Sequence, residues 1–154
     1  MSFWKKLLAL GIVAAVILAL TAYDYLRAQD TNIEVVSISP EKIVADPNKP
    51  VLITLRVTTH GELAVGDTVS ALVKGQGNLS GDKVKVKEDG TVTFKYYPYT
   101  YISGVFEESD VVIEFRNISD SVFVAVQKKQ TITFHVAKPE GSSGGMNMDD
   151  LFGN

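Results

Sequence analysis

Cysteine is missing from this 154-residue chain, and histidine occurs only at His60 and His135. Without cysteine there is no disulfide to staple a fold and no thiolate nucleophile. Two imidazoles alone do not complete a zinc site, so no metal is expected. A folded domain here must stand on its apolar core. No G-x-S-x-G elbow and no D-x-[DN]-x-[DN]-G calcium loop occurs. Glu107, Glu108 and Asp110 could offer oxygen ligands, but without that pattern they read as a solvated loop. Residues 75–81, GQGNLSG, join two strand patterns instead of leading a strand into a helix, which argues against a phosphate cradle. A formal net charge of -3 leaves no general nucleic-acid footprint. The lysines at Lys83, Lys85, Lys87, Lys128 and Lys129 could attract polyanions, but they read better as guards that stop strand edges pairing with other chains. No enzyme, no cofactor and no nucleic-acid partner is therefore expected.

Charge is also absent from residues 7–23, LLALGIVAAVILALTAY, which follow Lys5 and Lys6. As a helix this run spans roughly 25–30 Å, close to the thickness of a bilayer's hydrocarbon core. Two readings compete. A cleaved signal has a basic start, as here, but the apolar run is at the long end and no clean A-x-A site follows. Cleavage after Ala22 or Ala28 would put Leu20 or Leu26 at the small-residue position. Trp4 on one side, with Tyr23 and Tyr25 on the other, resembles the aromatic belts that pin a spanning helix. Residues 1–28 are therefore expected to be an uncleaved transmembrane anchor in the lipid bilayer. Lys5 and Lys6 precede the run, while Arg27 stands alone beyond it between Asp24 and Asp30. The positive-inside bias then puts the N-terminus in the cytoplasm and the rest outside. Gly11, Ala15 and Ala19 recur every fourth residue. They form either a packing seam for another helix, such as a second copy of this one, or a chance spacing of alanine.

Beyond a short linker at residues 29–32, the dominant period over residues 33–138 is two. Val51, Ile53, Leu55 and Val57 alternate with Leu52, Thr54, Arg56 and Thr58. Val69, Ala71 and Val73 do the same, as do Val92, Phe94 and Tyr96, Val111, Ile113 and Phe115, and Ile132, Phe134 and Val136. Each set puts β-branched and aromatic side chains on one face of a half-buried antiparallel strand. Gly, Asn and Asp interrupt the alternation at positions 46–48, 60–61, 65–67, 80–82 and 88–90, where chain reversal needs them. The pattern predicts an all-β fold, an antiparallel β-sandwich with a single core, preceded by one helix.

Two short motifs carry a resemblance. Gly66, Asp67, Thr68 and Val69 lead into one strand, and Asp89, Gly90 and Phe94 lead into a later one. With the opening Ser39-Pro40, this order resembles bacterial immunoglobulin-like domains of the invasin or Big type, over about two-thirds of the chain. The resemblance implies an immunoglobulin-like sandwich. The layout, one anchor helix and one sandwich, is similar in architecture to archaellum stator proteins.

Four of the six tyrosines lie in residues 96–101. Tyr97, Tyr99 and Tyr101 form either a flat binding surface for sugar or peptide, or a strand end with one ring in the core and another making a corner hydrogen bond. Residues 139–154 are a Gly/Ser-rich tail whose tip holds Met148, Asp149, Asp150, Leu151 and Phe152. The tip is either a short docking motif, ordered on a partner, or an inert end. Two sequons, at Asn78 and Asn117, decide nothing where chance alone supplies about one. Together these features predict a membrane-anchored extracytoplasmic module in a cell-envelope, surface-appendage or virion assembly. Ligand binding at the tyrosine segment is the alternative.

Overall fold

The computed structural model describes residues 3–119, 121–123 and 127–141. Among the described residues, one helix, α1 (Phe3–Gln29), precedes nine strands: β1 (Thr31–Ser39), β2 (Val51–Thr59), β3 (Glu62–Leu63), β4 (Thr68–Lys74), β5 (Asn78–Leu79), β6 (Lys83–Lys85), β7 (Thr91–Tyr97), β8 (Ser109–Asn117) and β9 (Lys129–Val136). They form two antiparallel sheets. The first runs β1-β2-β7-β5, with β3 folded back on the end of β2, and the second runs β6-β4-β8-β9.

The period-two residues meet between these sheets. Val51, Ile53, Leu55 and Val57 from β2 are fully buried, as are Val92 and Tyr96 from β7 and Val111, Ile113 and Phe115 from β8. Aromatic pairs bridge the gap. Phe94 meets Phe115 with ring centroids 5.2 Å apart, and Tyr96 meets Phe134 edge-on at 5.3 Å. In β1 the alternation slips at a bulge between Val35 and Ser37. The inward face is thereby re-phased, leaving Val35 and Val36 exposed while Ile38 packs on the core.

Two glycines are fixed by close approach. At Gly77, with φ 91°, an added Cβ would lie 2.6 Å from the Tyr96 ring. At Gly90, with φ 73°, it would lie 2.5 Å from Leu63 Cδ2. Both also need the left-handed backbone that glycine adopts freely. The hairpin after β2 instead places His60 at φ 55°, next to Gly61.

The linker expected at residues 29–32 is shorter than the sequence suggests. The helix continues through Gln29 and β1 begins at Thr31, so only Asp30 intervenes. Arg27 and Gln29 are compatible with helix, so α1 runs on past its apolar run. Thr31 and Ile33 pair with Thr59 and Val57, which pulls the strand start back to the helix end.

The helix–domain junction and candidate interaction surfaces

Along most of its length α1 is exposed, packed against no other element among the described residues. Its most apolar eighteen-residue window has a mean hydropathy of 2.2 and only 6% of it is buried. Trp4 is 78% exposed, Tyr23 and Tyr25 are also exposed, and Lys5 and Lys6 are open to solvent. Trp4 and Tyr23 are separated by about 30 Å of helix rise. Gly11, Ala15 and Ala19 lie on this bare surface, with Gly11 and Ala15 in a groove of about 610 Å³ walled by Trp4, Leu7, Leu8 and Ile12.

The last turns of the helix behave differently. Asp24 and Ala28 have no exposed surface. Asp24 Oδ2 accepts a hydrogen bond from the Phe123 backbone N–H and lies 3.5 Å from Ser121 Oγ. Gln127 Nε2 in turn donates to Ser121 Oγ at 3.0 Å. Just past the helix end, the Asp30 N–H donates to the Arg27 carbonyl at 3.1 Å. The Asp30 carbonyl accepts from the His60 N–H, and the Asp30 carboxylate faces His60 Nδ1 at 3.1 Å. The chain segment after β8 and the β2–β3 hairpin therefore both hold the end of the helix. Sequence reasoning placed Asp24 only as a flanking charge. Its partners are almost a hundred residues away, and no local pattern announces them.

Glu114 is a second site that the sequence hid. The alternation of β8 assigns it to the outer face, yet its side chain is buried there. Lys74 Nζ from β4 donates to Oε1 at 2.7 Å and Lys129 Nζ from β9 at 3.0 Å. The Arg116 guanidinium lies 3.7 Å from Oε2. Hydrogen bonds from Lys74 and Lys129 hold the Glu114 carboxyl down to about 2, well below the ordinary 4.5, against an opposing effect of burial. A group depressed on folding stabilises the fold fully above its ordinary value and loses that effect as pH falls through the depressed one. Melting temperature should accordingly drop as pH falls from about 5 to 2, and Glu114→Gln should make the decline shallower. Equal slopes in thermal melts of the two proteins would contradict this.

His135, on the outer face of β9, sits between carboxylates. Its Nδ1 is 2.9 Å from Asp110 and its Nε2 is 3.5 Å from Glu108. The Asp110 hydrogen bond, then that of Glu108, raises its value above the ordinary 6.5, against a smaller opposing effect of burial. The clasp is thus strongest at acid pH and fades as pH rises through the raised value. The two carboxylates flank opposite ring nitrogens, a geometry for ion pairing. Among the described residues no group of three His, Asp or Glu could hold a metal ion.

The tyrosines are divided. Tyr97 lies on the outer side of β7 with Lys95 Nζ 5.2 Å from its ring centroid. Tyr99 and Tyr101 instead pack against the core. The Tyr99 hydroxyl donates to the Glu107 carbonyl at 2.6 Å and contacts Ser109 Oγ at 2.9 Å, while Lys138 Nζ lies 5.2 Å from the Tyr101 ring centroid. The corner hydrogen bond is therefore at Tyr99, and the ring filling the core is Tyr96, whose hydroxyl donates to the Gln76 carbonyl at 2.7 Å. Asn117 is buried with its amide donating to Asp67 at 2.6 Å, so this sequon residue is occupied structurally. Met148, Asp149, Asp150, Leu151 and Phe152 lie outside the described residues.

No family model matches the chain, and no curated protein matches it in sequence. Solved structures do. The D00–D0 domain of intimin superposes with a TM-score of 0.52 at 14% identity, over 70% of this chain and 48% of that one. The D0–D1 domain of intimin gives 0.51 at 14% identity, over 70% and 47%. The sandwich is immunoglobulin-like. The chain spans about half the length of these intimin fragments. A conjugative transposon lipoprotein from Bacteroides eggerthii also aligns, with a TM-score of 0.42 at 14% identity, over 70% of this chain and 96% of that one.

Proposed function

We propose that this protein is a single-pass, membrane-anchored structural module. It holds one immunoglobulin-like sandwich at the outer surface of the membrane, as part of an envelope, appendage or virion assembly. The observation that carries this reading is the contrast along α1. Of seventeen uncharged residues all but Thr21 are exposed, whereas the next turns are fastened to the sandwich at Asp24, Ala28 and Asp30. A bare apolar surface of that length needs lipid or another apolar helix around it. Fastening the sandwich directly beyond it fixes the domain close to the bilayer. The sandwich offers ion pairs and packed rings, which suits a role in binding and positioning.

The reading is tested on the full chain in cell membranes. It should resist alkaline carbonate extraction, keep its intact mass, and lose its sandwich to protease added from outside while the N-terminus stays protected. Release by carbonate would refute the anchor. A mature chain beginning after Ala22 or Ala28 would also refute it, and protection of the sandwich from external protease would reverse the orientation.

A further inference from the structure

The lysines that look like separate edge guards in the sequence converge on one face. Across the second sheet, Lys83 of β6 is in register with Ser70 of β4, Ser70 with Arg116 of β8, and Arg116 with Lys129 of β9. All four point outward, because their neighbours Val69, Ala71 and Phe115 are buried between the sheets and register sets Lys83 and Lys129 on the same side. Lys85, opposite Thr68, continues this face one row nearer the strand ends, and Lys128 precedes β9 directly. Among the described residues, Glu114 lies one row further along this face, in register with Leu72 and Thr131, and is held by Lys74, Lys129 and Arg116. The face's other carboxylates, Glu108 and Asp110, sit at the far end with His135.

The basic end is the end beside the helix. Phe123, six residues past the end of β8, bonds to Asp24, one residue beyond the uncharged run. Lys128 and Lys129 share a cleft with Thr31, Asn32 and Ile33 at the start of β1. Val122, in the same segment as Phe123, is 52% exposed. An apolar side chain next in the chain to the residue that bonds Asp24, at the same end of the sandwich as a row of long cationic side chains, matches the boundary between acyl chains and phosphates. Among the described residues, the carboxylates at this end have partners of their own or lie in turns: Asp24 accepts from the Phe123 N–H, Asp30 faces His60, Asp67 accepts from Asn117, and Glu88 and Asp89 belong to the turn before β7.

We propose that the sandwich itself contacts the bilayer crossed by α1. The Lys83–Arg116–Lys129 row, with Lys85 and Lys128, engages lipid phosphates, and Val122 dips into the interface. This rests on the anchor reading above, but asks more of the domain than being tethered. An acidic protein partner for the same row is the competing occupant, and the test separates the two.

Because the chain has no cysteine, Val122→Cys and Val105→Cys each give a single labelling site. Val105 lies in the β7–β8 connection at the opposite end of the sandwich. The labelled full chains are reconstituted in phosphatidylcholine vesicles with and without phosphatidylglycerol, containing lipids with nitroxide-bearing headgroups. Quenching should be several-fold stronger at 122 than at 105 and should increase with phosphatidylglycerol. A Lys83→Glu, Lys85→Glu, Lys128→Glu variant, which spares the Glu114 ion pairs, should lose most of that increase. Equal quenching at the two sites in chains that resist carbonate extraction would overturn the lipid contact and leave the anchor intact. Quenching at 122 that ignores both phosphatidylglycerol and the lysine substitutions would also overturn it, freeing the row for a protein. Carbonate release of the chains would remove both readings.

Discussion

Phe115→Ala should destabilise the sandwich by about 3–5 kcal/mol, the usual loss on emptying a large aromatic site in a core. Phe115 is fully buried on β8 and its ring meets Phe94 of β7, so this pair joins the two sheets directly. Isoleucine and valine side chains from β2, β7 and β8 surround the pair and are committed to their own registers, so collapse into the void would be partial. No disulfide exists to limit the unfolded chain. In a domain of roughly a hundred residues, where total stability is about 5–15 kcal/mol, the melting temperature should fall by on the order of 20 °C. Phe115→Leu, which keeps most of the volume, should lose far less. Thermal melts of the β-sheet circular-dichroism signal on the full chain in detergent would measure both. Similar losses for the two variants would mean that the interlocked rings are not what joins the sheets.

Asp24→Ala is the second large effect, and it acts between helix and domain. The half-buried Phe123 N–H would be left without its acceptor, at a cost of about 1–3 kcal/mol. Ser121 and Gln127 would lose the carboxylate around which they are arranged. The core of the sandwich does not involve Asp24, so melting of the sheets should change little. The expected change is local: the Phe123 amide should exchange with solvent about 10-fold faster or more, following the same free energy. Hydrogen exchange on the reconstituted full chain would read this directly. An unchanged exchange rate would show that the segment is held by other contacts.

The sandwich was legible because it is written locally. Alternation in β2, β4, β7 and β8 needs only neighbouring residues, and a burial face repeats every second position. The bulge at Val35 breaks that rule within β1, and the two-residue strands β3 and β5 are too short to show any period. Asp24, Glu114 and the Lys83–Arg116–Lys129 row were not legible, for one shared reason. Each is created by register between segments distant in sequence, where a polar residue looks the same whether it meets water or three cations. The linker expected at residues 29–32 disappeared by the same route, since pairing of Thr31 with Thr59 is invisible from residue 31 alone.

The single-residue passage at Asp30 has a mechanical consequence. Strands of nine residues reach about 30 Å from the helix end. A helix–strand joint held by two segments has little slack, so the sandwich follows the axis of α1 as a lever follows its pivot. A helix leaning by about 20°, an ordinary angle for one crossing a bilayer, would swing the far loops sideways by about 10 Å. In the anchored arrangement proposed above, bilayer thickness or the crowding of neighbouring helices would then aim the far end of the sandwich.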